Sequence, residues 1–150
     1  GKKWVSLKGN FFGSIFFPLT SAYPPFNEFS IINPILISDI IQLFCPNQDI
    51  NLKFPNDIML NKKKICGILQ ETIDIKNKKF LIVGIGINVL NNPEIKRKYQ
   101  ATNIFKETNN EIIIGDVVNK ISLSYEKFFI NLSSYDYLYF KKKANLIALN

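Results

Sequence analysis

The segment Lys53–Glu71, K-F-P-N-D-I-M-L-N-K-K-K-I-C-G-I-L-Q-E, carries the pattern that decides the fold. A lysine ends an apolar–polar run, and a Pro-Asn-Asp turn separates it from the short apolar run Ile58–Leu60. Asn61 and three lysines then make a polar corner, and a second apolar run carries Gly67 where a side chain would be expected. Turn residues between short apolar runs are typical of antiparallel strands. The segment is therefore predicted to form three strands joined by two tight turns.

The pattern of strands continues on the C-terminal side of this segment. The last strand is predicted to run on to Ile75, and the polar turn Lys76–Lys78 leads into a partner strand, Lys79–Val89. That strand contains Gly84 and Gly86. Glycine inside a strand marks a close approach to the main chain, either by a ligand or by a neighbouring strand. Both readings stay open on the sequence alone.

Three further elements follow from hydrophobic periodicity. Residues Phe11–Leu19 are apolar on both alternating faces, which predicts a strand that is buried on two sides. Asp116 is predicted to cap a helix that runs to about Asn131, with one apolar stripe. A last helix is expected over Tyr135–Ala148, with its three consecutive lysines exposed.

The region before Cys45 also has helical spacing, but it contains a conflict. Asn27 is the candidate N-cap, with Ser30 as its rival. Pro34 would cost about 3 kcal/mol inside a helix and almost nothing in the first turn. The regular helix is therefore expected to start near Asn33 or to be kinked, and Cys45-Pro46-Asn47 should end it.

Composition limits the class of protein. The 150 residues are 47% apolar, which fits one globular domain, and no apolar run has the roughly 18–20 residues of a membrane span. There is no histidine, and Cys45 and Cys66 lack metal-ligand or disulfide spacing, so buried, reduced thiols in a cytoplasmic protein are expected. The formal charge of +7 reflects either a Lys- and Asn-rich genome or a basic surface. No nucleic-acid-binding motif supports a DNA or RNA partner.

Several motifs together resemble the biotin–protein ligases. The opening segment is similar to that family's K-W-P-N-D, basic turn and A-G-I-L-x-E, with Phe54 for Trp and Cys66 for Ala. The run Gly84–Val89, G-I-G-I-N-V, resembles the family's G-x-G-(I/L)-N-(apolar), and Gln100–Ile104 resembles its A-T-S-(apolar) with Asn for Ser. The opening residues Gly1–Trp4 resemble the end of the family's glycine- and arginine-rich loop, G-R-G-R-x-G-(R/K)-K-W.

The resemblance implies a fold and a domain organisation. The expected fold is α/β (α+β): a mixed, mainly antiparallel sheet flanked by helices, as in the class II synthetase-like catalytic domain of biotin and lipoate ligases. Residues 1–150 are expected to form one such catalytic domain. The first glycines and arginines of the biotin loop are missing, and the chain lacks a Met start, so the domain is expected to be N-terminally incomplete. Neither a DNA-binding domain nor a C-terminal β-barrel is expected.

The resemblance also implies an activity. Such a ligase joins biotin to the α-phosphate of ATP and then transfers biotin to a lysine of a biotin carboxyl carrier domain. ATP with Mg²⁺ would be the cofactors, with no protein metal site, no nucleic acid and no membrane partner, and a homodimer is left open. The biotin carboxylate and the α-phosphate are both anions and must be brought into contact, so the site needs positive charge and backbone donors more than an acid–base pair. The residues implied are Lys53 as the catalytic residue; Lys53, Gly67, Gly84 and Gly86 for biotin; Lys3, Trp4, Lys64 and Asn88 for the nucleotide; and Asn56 and Asp57 to hold the turn.

Other interpretations of these residues remain. Lys53 or Lys64 could be ordinary surface lysines, and Lys3 and Trp4 could be frayed terminal residues. Lipoate or octanoate ligases and transferases share the superfamily fold, although K-(W/F)-P-N-D with G-I-L-x-E favours biotin. A non-catalytic fragment that binds only nucleotide or carrier is the remaining alternative.

Overall fold

An antiparallel sheet organises the molecule. The structure is a computed structural model, and it describes residues 5–94 and 99–149. Within these ranges, five strands form one sheet in the order β1-β5-β4-β3-β2. The strands are Phe11–Pro18 (β1), Ile50–Lys53 (β2), Asp57–Leu60 (β3), Lys63–Ile75 (β4) and Lys78–Ile87 (β5). The helices are Phe29–Phe44 (α1), Ile104–Thr108 (α2), Ile114–Ile130 (α3) and Tyr137–Leu146 (α4).

Every neighbouring pair of strands in the sheet is antiparallel. Parallel pairing occurs only as two isolated bridges among the described residues, Leu52–Ala148 and Lys64–Ala101. The predicted α+β architecture, a mainly antiparallel sheet with helices, is therefore confirmed. One of the bridges covers the free edge of β2, because the Leu52 N–H donates to the Ile147 carbonyl at 2.8 Å and the Leu149 N–H donates to the Leu52 carbonyl at 2.8 Å.

The tight turns agree with their sequence signals. Asn61 and Lys62, between β3 and β4, have φ of 49° and 63°. Lys76 and Asn77, between β4 and β5, have φ of 47° and 62°. Two-residue hairpin turns favour positive φ at both central residues, because the twist of such a turn matches the twist of the strands. A shift of register between Ile58 and Met59 marks an irregularity in the β3–β4 pairing. The strand prediction for 53–89 is confirmed, with boundaries within about two residues.

The prediction that Phe11–Leu19 is buried on two sides is wrong. β1 lies at the edge of the described sheet, and Phe16 is 52% exposed. Only Phe11 and Phe17 of this strand belong to the core. The ring of Phe16 instead stacks on Phe80 of β5, with centroids 4.7 Å apart. Alternating apolar residues cannot distinguish a strand buried on both faces from an edge strand whose second face remains largely exposed, with its rings stacked across strands.

The start of α1 differs from the predicted start near Asn33 and from both predicted N-caps. The helix begins at Phe29, after a 3₁₀ turn over Phe26–Glu28, and runs through Pro34. Neither Asn27 nor Ser30 is the N-cap; that position is Glu28, and its side chain makes no capping hydrogen bond. The helix ends at Phe44 before Cys45, as predicted. Burial of its apolar residues against the sheet offsets the hydrogen bond that proline cannot donate.

The C-terminal helices are close to their predicted positions, but the cap predicted for α3 is wrong. α3 begins at Ile114 with Ile113 as N-cap, so Asp116 lies inside the first turn instead of capping it. A carboxylate there still complements the helix dipole. α4 is shorter than predicted, and its N-cap Asp136 accepts from the Leu138 N–H at 2.9 Å. The expected exposed run of three lysines is interrupted, because Lys143 pairs with Asp39 at 2.6 Å.

One face of the sheet forms the core with the helices. Along β5 the buried side chains are alternate residues, whereas the start of β4 has four consecutive buried residues, 65–68. These side chains form one cluster with the apolar faces of α1 and α3, which includes Ile32, Ile35, Ile41, Val117 and Ile121. Within the described residues, no helix combines the length and apolar content needed to cross a membrane.

A buried polar network ties α1, α3 and β4 together. The Tyr125 hydroxyl donates to Oδ1 of Asn33 at 2.7 Å, and Nδ2 of Asn33 donates to Gln70. Asn33 is 0% exposed. Burial raises the pKa of the Tyr125 hydroxyl, so it stays protonated and remains a donor.

Substituting Tyr125→Phe should therefore destabilise the fold by about 1–3 kcal/mol, because Oδ1 of Asn33 is left buried without a donor. Urea unfolding of the variant, compared with Tyr139→Phe on the exposed face of α4, measures this cost. Equal midpoints for the two variants would contradict a structural role of the network.

Candidate functional site

The sheet register places one row of residues across all five strands on the face opposite the core. Lys53 of β2 pairs with Asp57 of β3, Asp57 with Gly67 of β4, Gly67 with Gly86 of β5, and Gly86 with Phe12 of β1. The adjacent pair in the register, Leu52 and Ile58, points to the opposite face, and both of its side chains are buried in the core. Side chains alternate between the faces of a strand, so this row belongs to the non-core face, here called the outer face.

Glycines make the centre of the outer face flat. Gly67 and Gly86 are direct partners, and Gly84 lies next to them between Ser14 and Leu69. A cavity of about 360 Å³ opens above this floor. Gly84 and Gly86 line this cavity and leave its floor without side chains, so that a flat ligand can approach the main chain, whereas Gly67 is buried and lies outside the lining. The cavity is lined by Ser6, Phe12, Gly13, Ser14, Leu69, Gly84, Ile85 and Gly86.

Lys53 is the cation at the β2 end of the row. It is the last residue of its strand and is half-buried, and the Phe54–Pro55 bond that follows is cis. The Lys53 ammonium lies over the ring of Tyr99, with Nζ 3.5 Å from the centroid. Such a contact attracts a cation electrostatically without neutralising it.

The turn after Lys53 is held by main-chain and side-chain contacts. The Ile68 N–H donates to the Asn56 carbonyl at 2.9 Å, which fastens the turn to β4. The Asp57 carboxylate pairs with the Lys64 ammonium at 2.5 Å. Lys64 therefore lies near the row but is already engaged with a carboxylate.

Asn88 lies at a junction of three loops instead of pointing freely at the outer face. Its Nδ2 donates to the Thr102 carbonyl at 3.0 Å. Oδ1 of Asn10 accepts from the N–H groups of the turn after β5 at 3.0, 3.1 and 3.0 Å, which are those of Val89, Leu90 and Asn91. The amide of Asn88 is thus mainly engaged inside the protein, with Asn10 Nδ2 3.5 Å from its Oδ1.

The segment that follows Tyr99 docks on the start of β4. The Lys64 N–H donates to the Gln100 carbonyl at 2.8 Å, and the Thr102 N–H donates to the Lys64 carbonyl at 2.9 Å. Oε1 of Glu107 accepts from the Thr102 hydroxyl at 2.5 Å and from the Lys63 ammonium at 2.9 Å, while Oε2 accepts from Asn61 at 2.7 Å. Glu107 thus connects the polar corner of the β3–β4 turn to α2.

The Glu107 network predicts a specific acid sensitivity. Burial raises the pKa of this carboxyl, but the hydrogen bonds from Thr102, Asn61 and Lys63 and the charge of Lys63 outweigh it and hold the pKa below 4.5. A lowered native pKa contributes stability that is present above the unfolded pKa and lost as the pH falls through the native value. The variant Glu107→Gln should therefore lose less unfolding free energy than the unaltered chain when the pH is lowered below 4.5. Urea unfolding at a series of pH values measures this, and parallel pH profiles would contradict it.

Both cysteines are free and buried, as predicted. Burial, reinforced by the negative charge of Glu107, raises the pKa of the Cys45 thiol to about 11. Burial also raises the pKa of Cys66. Both thiols therefore stay protonated at neutral pH and are poor nucleophiles. Among the described residues there is also no group of three His, Cys, Asp or Glu side chains that could hold a metal ion.

The structure brings together most of the residues singled out from the sequence. Lys53, Gly67, Gly84 and Gly86 share the outer face, and Asn56 and Asp57 form the adjoining turn. Lys64 is paired with Asp57, and Asn88 is engaged with Thr102. Lys3 and Trp4 lie outside the described residues.

Sequence reasoning missed three residues that organise this region: Tyr99, Asn10 and Glu107. Tyr99 follows no recognisable motif, so no local signal could have indicated its contact with Lys53. Asn10 immediately precedes β1, where a side-chain amide that could bind main-chain N–H groups would have been a usable signal.

These features define an α+β domain with a glycine-floored cavity and, in the same row of paired residues, a cation held at the end of β2. Residues 1–88 match the biotin/lipoate A/B protein ligase family. The match covers more than half of the chain, and the chain belongs to this family.

Individual relatives point to its biotin branch. The biotin–[acetyl-CoA-carboxylase] ligase of Paracoccus denitrificans is 30% identical over 96 residues, which cover 63% of this chain and 40% of the relative. The bifunctional ligase/repressor of Bacillus subtilis (strain 168) is 36% identical over 81 residues, or 51% of this chain and 25% of the relative. The chain thus spans less than half the length of these relatives.

Solved structures agree with the fold. A biotin protein ligase from Aquifex aeolicus in complex with biotin and ATP superposes with a TM-score of 0.81 at 26% identity, covering 99% of this chain and 62% of that one. A biotin protein ligase from Leishmania major in complex with biotinyl-5-AMP gives 0.76 at 21% identity, covering 99% and 65%, and shows the shared fold. The sequence resemblance to biotin–protein ligases is confirmed.

Proposed function

We propose that this chain is the catalytic domain of an ATP-dependent biotin–protein ligase. The observation that carries the proposal is the outer-face row, which has Lys53 at its β2 end, Asp57 next to it and the glycine pair Gly67 and Gly86 beyond. Membership of the family and the names of the relatives support the same conclusion. A cation beside a flat main-chain floor suits a ligand that has a ring system and a carboxylate.

The reaction proposed has two steps. In the first, a carboxylate oxygen of biotin attacks the α-phosphorus of ATP; a P–O bond forms, the bond to the β-phosphate oxygen breaks, and pyrophosphate leaves. In the second, a lysine amine of the carrier domain attacks the acyl carbon of the adenylate, loses a proton, and expels AMP. Negative charge concentrates where the two anions meet, so a preorganised cation contributes most to the rate.

Lys53 is proposed to bind the biotin carboxylate and the phosphoryl oxygens and to stabilise charge as the bond forms. The floor of Gly67, Gly84 and Gly86 would take biotin. Lys64 and Asn88, with Lys3 and Trp4, are proposed for the nucleotide, and Lys64 would then have to share its ammonium with Asp57. We assign no protein ligand to magnesium, which would be bound by the ATP phosphates.

The remaining elements of the proposal concern partners and location. The macromolecular partner proposed is a biotin carboxyl carrier domain, without nucleic acid or membrane. A cytoplasmic location is proposed because ATP and the carrier would be found there, and a homodimer is left open.

The test is transfer of biotin to a purified biotin carboxyl carrier domain with ATP and magnesium, detected by streptavidin blotting and intact mass. Two proteins should be compared: this chain, and a version carrying a family-type glycine- and arginine-rich segment ahead of Gly1. A mass increase of one biotinyl group on the carrier lysine, from either protein, supports the proposal.

Two results would contradict it. Labelling with lipoate or octanoate but not with biotin would assign the chain to the other branch of the superfamily. Absence of any labelling from both folded proteins would leave a non-catalytic domain as the better description.

A further inference from the structure

The partner of the Lys53 ammonium is an aromatic ring. Nζ lies 3.5 Å from the centroid of the Tyr99 ring. The ion pairs among the described residues join Lys63 to Glu107, Lys64 to Asp57 and Lys143 to Asp39, and none includes Lys53. The arrangement is unexpected, because a carboxylate is available in the row itself.

That carboxylate is Asp57, the cross-strand partner of Lys53. Opposite charges at directly paired positions of a sheet normally attract each other. Here the Asp57 carboxylate is engaged by the Lys64 ammonium at 2.5 Å. Lys64 thus forms the ion pair with the Asp57 carboxylate that Lys53 would otherwise be expected to form.

The two kinds of partner have different consequences for ligand binding. A carboxylate would use the N–H donors of the ammonium and cancel its charge. An aromatic face attracts the cation through its quadrupole, fixes its position and leaves the positive charge uncompensated. A lysine held on a ring can therefore still bind an incoming carboxylate or phosphate.

The main chain keeps Tyr99 in place for this contact. The Gln100 carbonyl, one residue further on, accepts from the Lys64 N–H at 2.8 Å, and the Thr102 N–H donates back to the Lys64 carbonyl at 2.9 Å. Lys64 therefore has two roles. Its ammonium pairs with the Asp57 carboxylate, and its main chain binds the segment that follows Tyr99.

We propose that Tyr99 is a positioning residue for Lys53, whose ammonium it holds uncompensated, in the same row as the floor glycines, for an anionic ligand. This inference rests on the proposed function, in which the ligand is the biotin carboxylate and the phosphoryl group. Tyr99 acts through Lys53 and is assigned no chemical step of its own.

The contact itself can be tested without turnover. Protons that lie over an aromatic face are shifted upfield, so NMR of the unaltered chain should show upfield-shifted Lys53 ε-methylene protons, assigned with Lys53→Arg. Tyr99→Phe should keep this shift and Tyr99→Leu should remove it. An ordinary shift in the unaltered chain, or the same shift in the leucine variant, would overturn the proposal.

The functional role is tested by kcat/KM for biotin in carrier labelling and by calorimetric affinities for biotin and ATP. Tyr99→Leu should lower kcat/KM by about 3- to 30-fold, and Tyr99→Phe should restore most of it. Phenylalanine carrying one, two or three fluorines at position 99 should lower the value stepwise, because fluorine weakens the ring quadrupole with little change of shape. A purely structural role would not follow the number of fluorines. Tyr139→Leu, on the exposed surface of α4, is the matched control.

The outcomes separate the two proposals. Labelling by the unaltered chain that is equally strong in Tyr99→Leu would overturn the role of Tyr99 and leave the ligase assignment intact. If neither the unaltered chain nor the version with the added N-terminal segment labels the carrier or binds biotin or ATP, the proposed function fails, and the role of Tyr99 fails with it.

Discussion

Replacing Lys53 by alanine should lower biotin transfer to a carrier domain by roughly 100- to 1,000-fold, the usual effect of removing one preorganised charge stabiliser. Lys53 is the only residue of the outer-face row, as traced through the described strands, that carries a positive charge. The loss should appear mainly in kcat, because the lysine is proposed to interact most strongly with the charge that develops between the two anions.

The variant should remain folded, which makes the result interpretable. Lys53 is half-buried at a strand end, and its truncation removes a charge instead of stranding one in the core. Lys53→Arg should recover only part of the rate, since a planar guanidinium cannot occupy the same position over Tyr99 and towards the ligand. Lys120→Ala, on the exposed side of α3, is the matched control. Labelling by Lys53→Ala within about threefold of the unaltered chain would remove Lys53 from the proposed mechanism.

Gly84→Val should weaken biotin binding by about 10- to 100-fold while leaving the fold as stable as before or slightly more stable. A Cβ at this position would lie 3.8 Å from Leu69 and 4.0 Å from the Ser14 hydroxyl, which are ordinary contacts. The protein thus tolerates a side chain here, and valine favours strand geometry by about 0.5–1 kcal/mol over glycine. The added methyl groups would project into the cavity of about 360 Å³ above the floor.

Calorimetric titration with biotin and thermal unfolding should therefore change in opposite directions. Gly84→Ala should have a biotin affinity between those of the unaltered chain and Gly84→Val. Thr72 is exposed on the opposite face of β4, so Thr72→Val should alter neither binding nor labelling. Unchanged biotin affinity in Gly84→Val would place the ligand elsewhere. By contrast, Gly13→Ala cannot serve as a test, because its Cβ would lie 2.7 Å from the Phe11 ring and would disturb packing instead.

Much of the sheet could be predicted because its information is local. The turns at Asn61–Lys62 and at Lys76–Asn77 combine residues that tolerate positive φ with apolar runs on either side. Alternation along the strands then determines which residues share a face, and so the spacing of two residues is enough to put Gly84 and Gly86 on the same one. The helix caps were less predictable, since packing of α1 and α3 on the sheet outweighs the few tenths to about 2 kcal/mol that a cap contributes.

The sequence by itself determined the family, the hairpins and the candidates Lys53, Gly67, Gly84 and Gly86, because motif order and period-two alternation are properties of the chain. Only the tertiary structure decided the electrostatic partners. The ring of Tyr99 and the carboxylate of Asp57 reach Lys53 and Lys64 through strand pairing and loop docking. Charge–charge and charge–ring energies depend on distances of a few ångströms between residues far apart in sequence, and no local pattern encodes those distances.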